Sequence, residues 1–337
     1  MSNRRILAFD IIKLFAIFLV LWGHCMQSLY PVIGCGRNKP VFLYIYSFHM
    51  PLFMMVSGYF SPSAMKLSFA EILQKKVKQL IVPAFVVSGL CVVTEYGICK
   101  LCGGGTMNYF ETFIYDIWFP KSLFLCFLLG ALFFRIRSYS LWLALVFIFI
   151  VIHVRNFWGI AEMLPSFLFG YYIHNRKLCD NRLFLIYVAS SCLIYLFLLQ
   201  FWSDDYGTYI PFQLHKWIMH PSTYSMLGLE KELYRVSVGI TGAFFVFGIL
   251  YILLNNHHSV IIARLAHIGQ ETLGIYFLQA IILERILKKV CTFGAYDINS
   301  FSFIIAPIVS GIVLILSFGI VKLIRKNYYL STYFLGK

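Results

Sequence analysis

Three ionisable residues lie in the first apolar stretch of the chain, which reads RRILAFDIIKLFAIFLVLWGHCMQSL. Asp10, Lys13 and His24 are costly in lipid, and such side chains within a membrane helix ordinarily face a protein interior or a water-filled cavity. Their spacing aligns them. Asp10 and Lys13 are three apart and can pair on one helix face. Lys13 and His24 are eleven apart, which on a helix is three turns with ~20° left over and ~16 Å of rise. A histidine titrates near neutral pH, so in a shaped cavity His24 could take a proton from a hydroxyl. Lys13 could stabilise developing negative charge or hold a phosphate or carbonyl of a ligand, with Asp10 orienting it. The plainer reading is that Asp10 and Lys13 reach the inner headgroups and His24 caps the outer end of the helix.

The elements that would hold these residues follow from composition. The chain has 337 residues, 60% hydrophobic and only 12% charged, against roughly 25% charged in a soluble domain. It cannot coat itself with water, which excludes a soluble enzyme, a nucleic-acid binder and a disordered protein. What remains is an all-α polytopic bundle forming one membrane domain over residues 1–337. About ten apolar runs approach the ~20 residues a span needs: Ile6–Leu29, Phe42–Phe60, Leu80–Ile98, Phe110–Phe134, Leu141–His153, Trp158–His174, Leu183–Phe201, Val236–Leu254, Thr272–Leu287 and Phe303–Ile324. The first run contains Asp10 and Lys13 and has no small-residue cleavage site, so it reads as a retained helix. His24 lies ~27 Å of helical rise beyond Ile6, in the outer half of the bilayer.

The formal charge is +14. With the N-terminus inside, the inner side holds 16 Lys and Arg and the outer side 10. The bias has the sign that basic cytoplasmic loops give and places both termini in the cytoplasm. Most of the nine cysteines lie in or beside apolar runs as small hydrophobes. The Cys99–Cys102 pair lacks the second pair that a structural zinc site needs, so no metal is expected.

Further segments stand out. In FHMPLFMMVSGYF, Pro51 removes a helical hydrogen bond and Ser57-Gly58 permits close backbone approach, a combination that suits a broken helix lining a cavity, with His49 at its entry. A small-residue helix contact explains Ser57-Gly58 equally well. Lys75, Lys76 and Lys78 precede the third span. They read either as a positive-inside flank or as a patch for the phosphates of a cofactor. The longest loop, from Trp202 to Arg235, carries Trp202, Asp204 and Asp205 among further aromatic and histidine residues. Aromatic faces beside acids suit a sugar ring, and an interfacial aromatic belt suits the same residues.

These segments together resemble the acyltransferase 3 family of integral membrane acyltransferases. The resemblance rests on FDIIKLFAIFLVLWGH, with Lys13 where many members have Arg, on FHMPLFMMVSGYF, on the basic flank from Lys75 to Pro83, and on IWFPKSLF at Ile117–Phe124. FLFGYYI (Phe167–Ile173) and IGQETLGIYFLQ (Ile268–Gln279) are weaker echoes, the latter ending in Gln279 where members often have His. The resemblance implies about ten helices, and transfer of an acyl group, usually acetyl from acetyl-CoA, to a hydroxyl of a cell-surface glycan or lipid-linked saccharide. It implies the stand-alone type without an SGNH hydrolase-like domain, in a cell inner membrane. On this reading the CoA phosphates meet Lys75, Lys76 and Lys78. The pantetheine arm passes Ser57 and Lys13 between Trp118 and Tyr276, and His24 either deprotonates the acceptor or carries the acyl group. His49, Trp202, Asp204 and Asp205 would meet the acceptor. The partners are then acyl-CoA, the glycan and membrane lipids, with no nucleic acid. A transporter or flippase for a glycolipid or small anion would also use intramembrane Asp10, Lys13 and His24, although the chain lacks the internal repeat common in transporters.

Overall fold

The computed structural model describes residues 7–30, 40–102, 109–115, 117–134, 159–203, 227–255 and 259–336. Among these the secondary structure is helical: α1 (Leu7–Leu29), α2 (Pro40–Tyr59), α3 (Pro62–Met65), α4 (Phe69–Lys76), a π turn (Val77–Ile81), α5 (Val82–Cys102), α6 (Tyr109–Tyr115), α7 (Trp118–Phe133), α8 (Ile160–Asn175), α9 (Phe184–Leu199), α10 (Leu227–Leu254), α11 (Val260–Gly269), α12 (Thr272–Ile281), a second π turn (Ile282–Leu287), α13 (Ala306–Ile324) and α14 (Tyr328–Leu335). Among the described residues five helical runs are long and apolar enough to cross a membrane: Leu7–Leu29, Val41–Tyr59, Phe69–Leu101, Leu233–Leu254 and Ile298–Ile324. Shorter apolar helices accompany them. The chain is a multi-pass helical membrane protein.

The side-chain distribution along α13 shows why water cannot be its solvent. Ala306, Ser310, Val313, Ser317 and Val321 are buried, while Ile308, Ile312, Ile315, Leu316, Ile320 and Leu323 are exposed. Small residues inward and large aliphatics outward is the pattern of a helix packed in lipid. On α9 the buried set Phe184, Val188, Ser191 and Tyr195 recurs at helical spacing, and Leu185, Ile186, Leu193, Ile194 and Phe197 face outward.

The chain divides into two compact units. One comprises Met1–Tyr46, Lys78–Pro120 and Leu250–Lys337, the other Ser47–Val77 and Lys121–Ile249.

In the second unit, α2 overturns the expectation of a broken helix, because it runs unbroken through Pro51. Pro51 takes the helical donor away from the Ser47 carbonyl four residues back. Gly239 on α10 lies against both, with a Cβ there reaching 2.9 Å from Pro51 Cγ and 3.5 Å from the Ser47 carbonyl oxygen. The absence of a side chain at Gly239 leaves room for the proline ring. Gly58 serves the small-residue contact: a Cβ would fall 1.9 Å from the Phe167 carbonyl oxygen, and one on Gly170 would fall 1.9 Å from that of Met55. The two glycines let α2 and α8 meet backbone to backbone, which gives the FLFGYYI segment its glycine.

Other boundaries also move. The expected span Phe110–Phe134 is divided into α6 and α7, and Leu141–His153 lies outside the described residues. The basic flank is not a loop: Lys75 and Lys76 close α4, which opens on a capping box between Ser68 and Glu71, and Lys78 lies in the π turn. Arg235, counted above with an outer loop, is inside α10 and buried, with Nη2 3.3 Å from Glu162 Oε2 on α8. Arg235→Met takes the guanidinium away from this buried carboxylate. It is expected to cost about 3–5 kcal/mol of stability, read as a lowered melting temperature in detergent, and adding Glu162→Gln should recover most of the loss.

Candidate active site

The first unit contains α1 with Asp10, Lys13 and His24. The ion pairs at its two ends are both completed by the segment running from the end of α11 through α12 into the second π turn.

At the N-terminal end, Lys13 Nζ lies 2.7 Å from Asp10 Oδ1. Gln270 Nε2 donates to Asp10 Oδ2 at 3.2 Å, so each oxygen of this buried carboxylate has a partner. Gly269 makes the approach possible, because a Cβ there would sit 1.8 Å from the Asp10 carbonyl oxygen. Glu271 is held by Arg325, whose Nη2 lies 2.5 Å from Glu271 Oε1. Gly269 and Gln270 thus seat the α11–α12 connection on α1, and Glu271 ties it to Arg325 at the end of α13. Gly269→Ala drives a methyl group into backbone and is expected to destabilise by at least the upper end of the ~1–3 kcal/mol overpacking range. Its melting temperature should fall well below that of Gly311→Ala, whose Cβ would meet nothing within 4 Å.

At the C-terminal end, His24 Nδ1 lies 3.0 Å from Glu284 Oε1. Gln279 Nε2 donates to the same oxygen at 3.0 Å. On a regular α-helix, residues five apart are ~140° apart around the axis and Gln279 could not reach Glu284. The π turn, with its i→i+5 pattern, puts them on one side, a local irregularity frequent at functional sites. The same turn buries Arg285, whose Nε lies 3.4 Å from Glu95 Oε2 on α5, with Lys289 Nζ 3.9 Å from the other Glu95 oxygen. Arg285 therefore belongs to a buried ion pair. The end of α1 is anchored by Trp22 Nε1 donating to the Ser302 carbonyl at 2.8 Å and by Phe293 N donating to that of Leu29 at 3.1 Å.

The chemistry of the pair follows from hydrogen-bond capacity. A carboxylate only accepts, so His24 presents Nδ1–H to Glu284, and the neutral ring carries its lone pair on Nε2. Nε2 makes no hydrogen bond among the described residues. Side-chain exposures of 23% for His24 and 22% for Glu284 leave the pair partly open. An imidazole held by a carboxylate, with one nitrogen free, is equipped to move a proton to and from a reacting oxygen.

The remaining sequence-derived residues fall as follows. Tyr276 is buried on α12, its ring centroid 5.6 Å from Phe119, and Phe119 is 6.2 Å from Trp118, so these three form one aromatic cluster in the first unit. Lys78 also belongs to that unit. His49, Ser57, Lys75, Lys76 and Trp202 belong to the second. There His49 is buried, Lys75 is exposed, Lys76 Nζ lies 3.8 Å above the Phe127 ring, and the Trp202 ring is 6.0 Å from Tyr234. Asp204 and Asp205 lie outside the described residues. Among the described residues no group of three or more His, Cys, Asp or Glu could hold a metal ion. Glu284 and Gln270 were not singled out from the sequence. A signal for Glu284 existed, since Glu284-Arg285 is a pair of charges inside the apolar run IYFLQAIILERIL.

Fold and site define a class: a multi-pass helical membrane protein holding an imidazole–carboxylate pair among its helices. The chain belongs to the acyltransferase 3 family, described as an acyltransferase domain, which matches residues 6–322. It is similar to nodulation protein NolL of Sinorhizobium fredii, 30% identical over 147 residues, which cover 42% of this chain and 40% of that protein. It is likewise similar to nodulation protein NolL of Mesorhizobium japonicum, 31% identical over 147 residues, covering 42% and 39%. The matched stretch thus spans about two fifths of the length of these curated relatives. No solved structure matches the chain.

Proposed function

We propose that this membrane acyltransferase moves an acetyl group from cytoplasmic acetyl-CoA to a hydroxyl of a cell-surface glycan or its lipid-linked precursor, with His24 as the general base. The observation that carries the reading is the His24–Glu284 contact at 3.0 Å with Nε2 left free. The acceptor O–H gives its proton to Nε2 as its oxygen attacks the thioester carbonyl carbon. The carbon–sulfur bond then breaks, and the imidazolium returns the proton to the departing CoA thiolate. Glu284 balances the imidazolium charge through both steps and keeps the ring in the tautomer that can accept. Lys13, fixed by Asp10, is the group that meets negative charge on the arriving donor.

Burial of Arg235 and Arg285 in ion pairs also supports the orientation with both termini in the cytoplasm. Without them, 16 basic residues on the inner side face 8 on the outer. The test is a transfer assay with purified protein in nanodiscs, [14C]acetyl-CoA and glycolipid extracted from the native membrane. Label should move to the glycolipid as an ester released by mild alkali. Label that stays on CoA, or that appears only as free acetate in the presence of acceptor, contradicts the reading.

A further inference from the structure

One polar atom at the centre of the site has no role in the steps above. Gln279 is 1% exposed. Its amide nitrogen donates to Glu284 Oε1, and because a carboxylate can only accept, the amide cannot be turned the other way round. The carbonyl oxygen Oε1 must therefore face away from Glu284. It is fully buried and has no hydrogen-bond partner among the described residues. A buried acceptor left bare is costly, and such groups are ordinarily satisfied. This one is close to the reacting nitrogen's ring, since Gln279 Nε2 and His24 Nδ1 contact the same carboxylate oxygen, each at 3.0 Å. The two cannot be further apart than those contacts laid end to end.

A ligand entering the site can supply the donor that this oxygen lacks among the described residues. The reacting hydroxyl is unsuitable, because its single proton goes to His24 Nε2. The acyl donor is suitable. The pantetheine arm of any acyl-CoA carries an amide N–H two carbons from the thioester sulfur, and so brings a donor into the site whichever acceptor is used. We infer that Gln279 recognises the acyl donor, its Oε1 accepting a hydrogen bond from the pantetheine amide nearest the sulfur. The inference rests on acyl-CoA being the donor, as proposed above. Gln279 then has two tasks: its nitrogen steadies Glu284, and its oxygen sets how far the thioester enters toward His24. A second hydroxyl on a sugar acceptor offers the same O–H or N–H chemistry, and the test separates the two sources.

The test compares acetyl-CoA with an isostere in which that amide is replaced by an ester, which removes the N–H and little else. Turnover is read as release of CoA-type thiol by the protein in nanodiscs. The wild type should prefer the amide by roughly tenfold or more in kcat/KM, the ratio that ~1.4 kcal/mol represents. Gln279→Leu, which retains bulk and loses the acceptor, should process both compounds alike. Gln279→His, able to donate to Glu284 from one nitrogen and accept at the other, should restore the preference. No preference in the wild type, or a preference that survives in Gln279→Leu, overturns the inference. So does a Gln279→Leu variant whose only defect is a raised KM for glycolipid, because the partner is then a sugar hydroxyl. Should Gln279→Leu not fold, the wild-type preference and its retention in Gln279→His decide the matter. Failure of the underlying reading looks different, since the wild type would then release thiol from neither compound.

Discussion

His24→Ala is expected to lower acetyl transfer by about 10²–10⁴-fold, the range a positioned general base contributes. The loss should fall on kcat, with the KM for acetyl-CoA little changed, because in the proposed mechanism the imidazole acts on the moving proton and not on the CoA moiety. His24 is only partly buried, and among the described residues its one polar contact is to Glu284. The backbone of α1 is held independently by Trp22, Leu29 and the Gly269 approach. The variant should therefore keep its melting temperature within a few degrees of wild type. A variant that folds, binds acetyl-CoA and transfers at the wild-type rate would remove His24 from the mechanism.

The second large effect is expected at Glu284. Glu284→Gln preserves size and can still accept from His24 Nδ1, but it cannot balance an imidazolium. Its amide can also present N–H to the ring and select the tautomer whose Nε2 is blocked. Removing an orienting carboxylate of this kind can cost up to ~10⁴ in kcat. At this partly open site a loss of about 10² is expected. Glu284→Ala should lose at least as much. The informative comparison is with Glu95→Gln, which disturbs the adjacent pair with Arg285 and not the imidazole. Glu95→Gln should lower the melting temperature and leave more activity per folded molecule than Glu284→Gln. Equal activity losses in the two variants would mean that Glu284 acts only through packing.

How much of this was legible in the sequence depended on what each signal measures. Asp10, Lys13 and His24 stand out because charges in an unbroken apolar run are conspicuous. The Asp10–Lys13 pair has the i,i+3 geometry that spacing alone suggests. Glu284 is visible as a charge in an apolar run, but its link to Gln279 is hidden by a change of helical period. Read at 3.6 residues per turn, Gln279 and Glu284 point apart, and only the π turn brings them together. Pro51 points to a break, and the helix nevertheless runs on, with Gly239, nearly two hundred residues later, leaving room for its ring. Arg235 reads from the sequence as the end of an outer loop, because charge beside an apolar run usually marks the membrane edge. The partners of Arg235 and Arg285, Glu162 and Glu95, are distant in sequence, and no local pattern reveals a tertiary ion pair. Glycines behaved similarly. Gly58 and Gly269 were visible as letters, and their purpose became clear only from the carbonyl oxygens they face.

The most direct measurement follows the acetyl group itself, in one experiment with wild type and His24→Ala side by side in nanodiscs, each shown to be folded by its melting temperature. With [14C]acetyl-CoA and native glycolipid, the wild type should pass label to the glycolipid as an alkali-labile ester while releasing one thiol per acetyl moved, and His24→Ala should do neither at a measurable rate. Transfer at equal rates by both proteins, or thiol release by the wild type without label on any acceptor, would contradict acyl transfer at this imidazole.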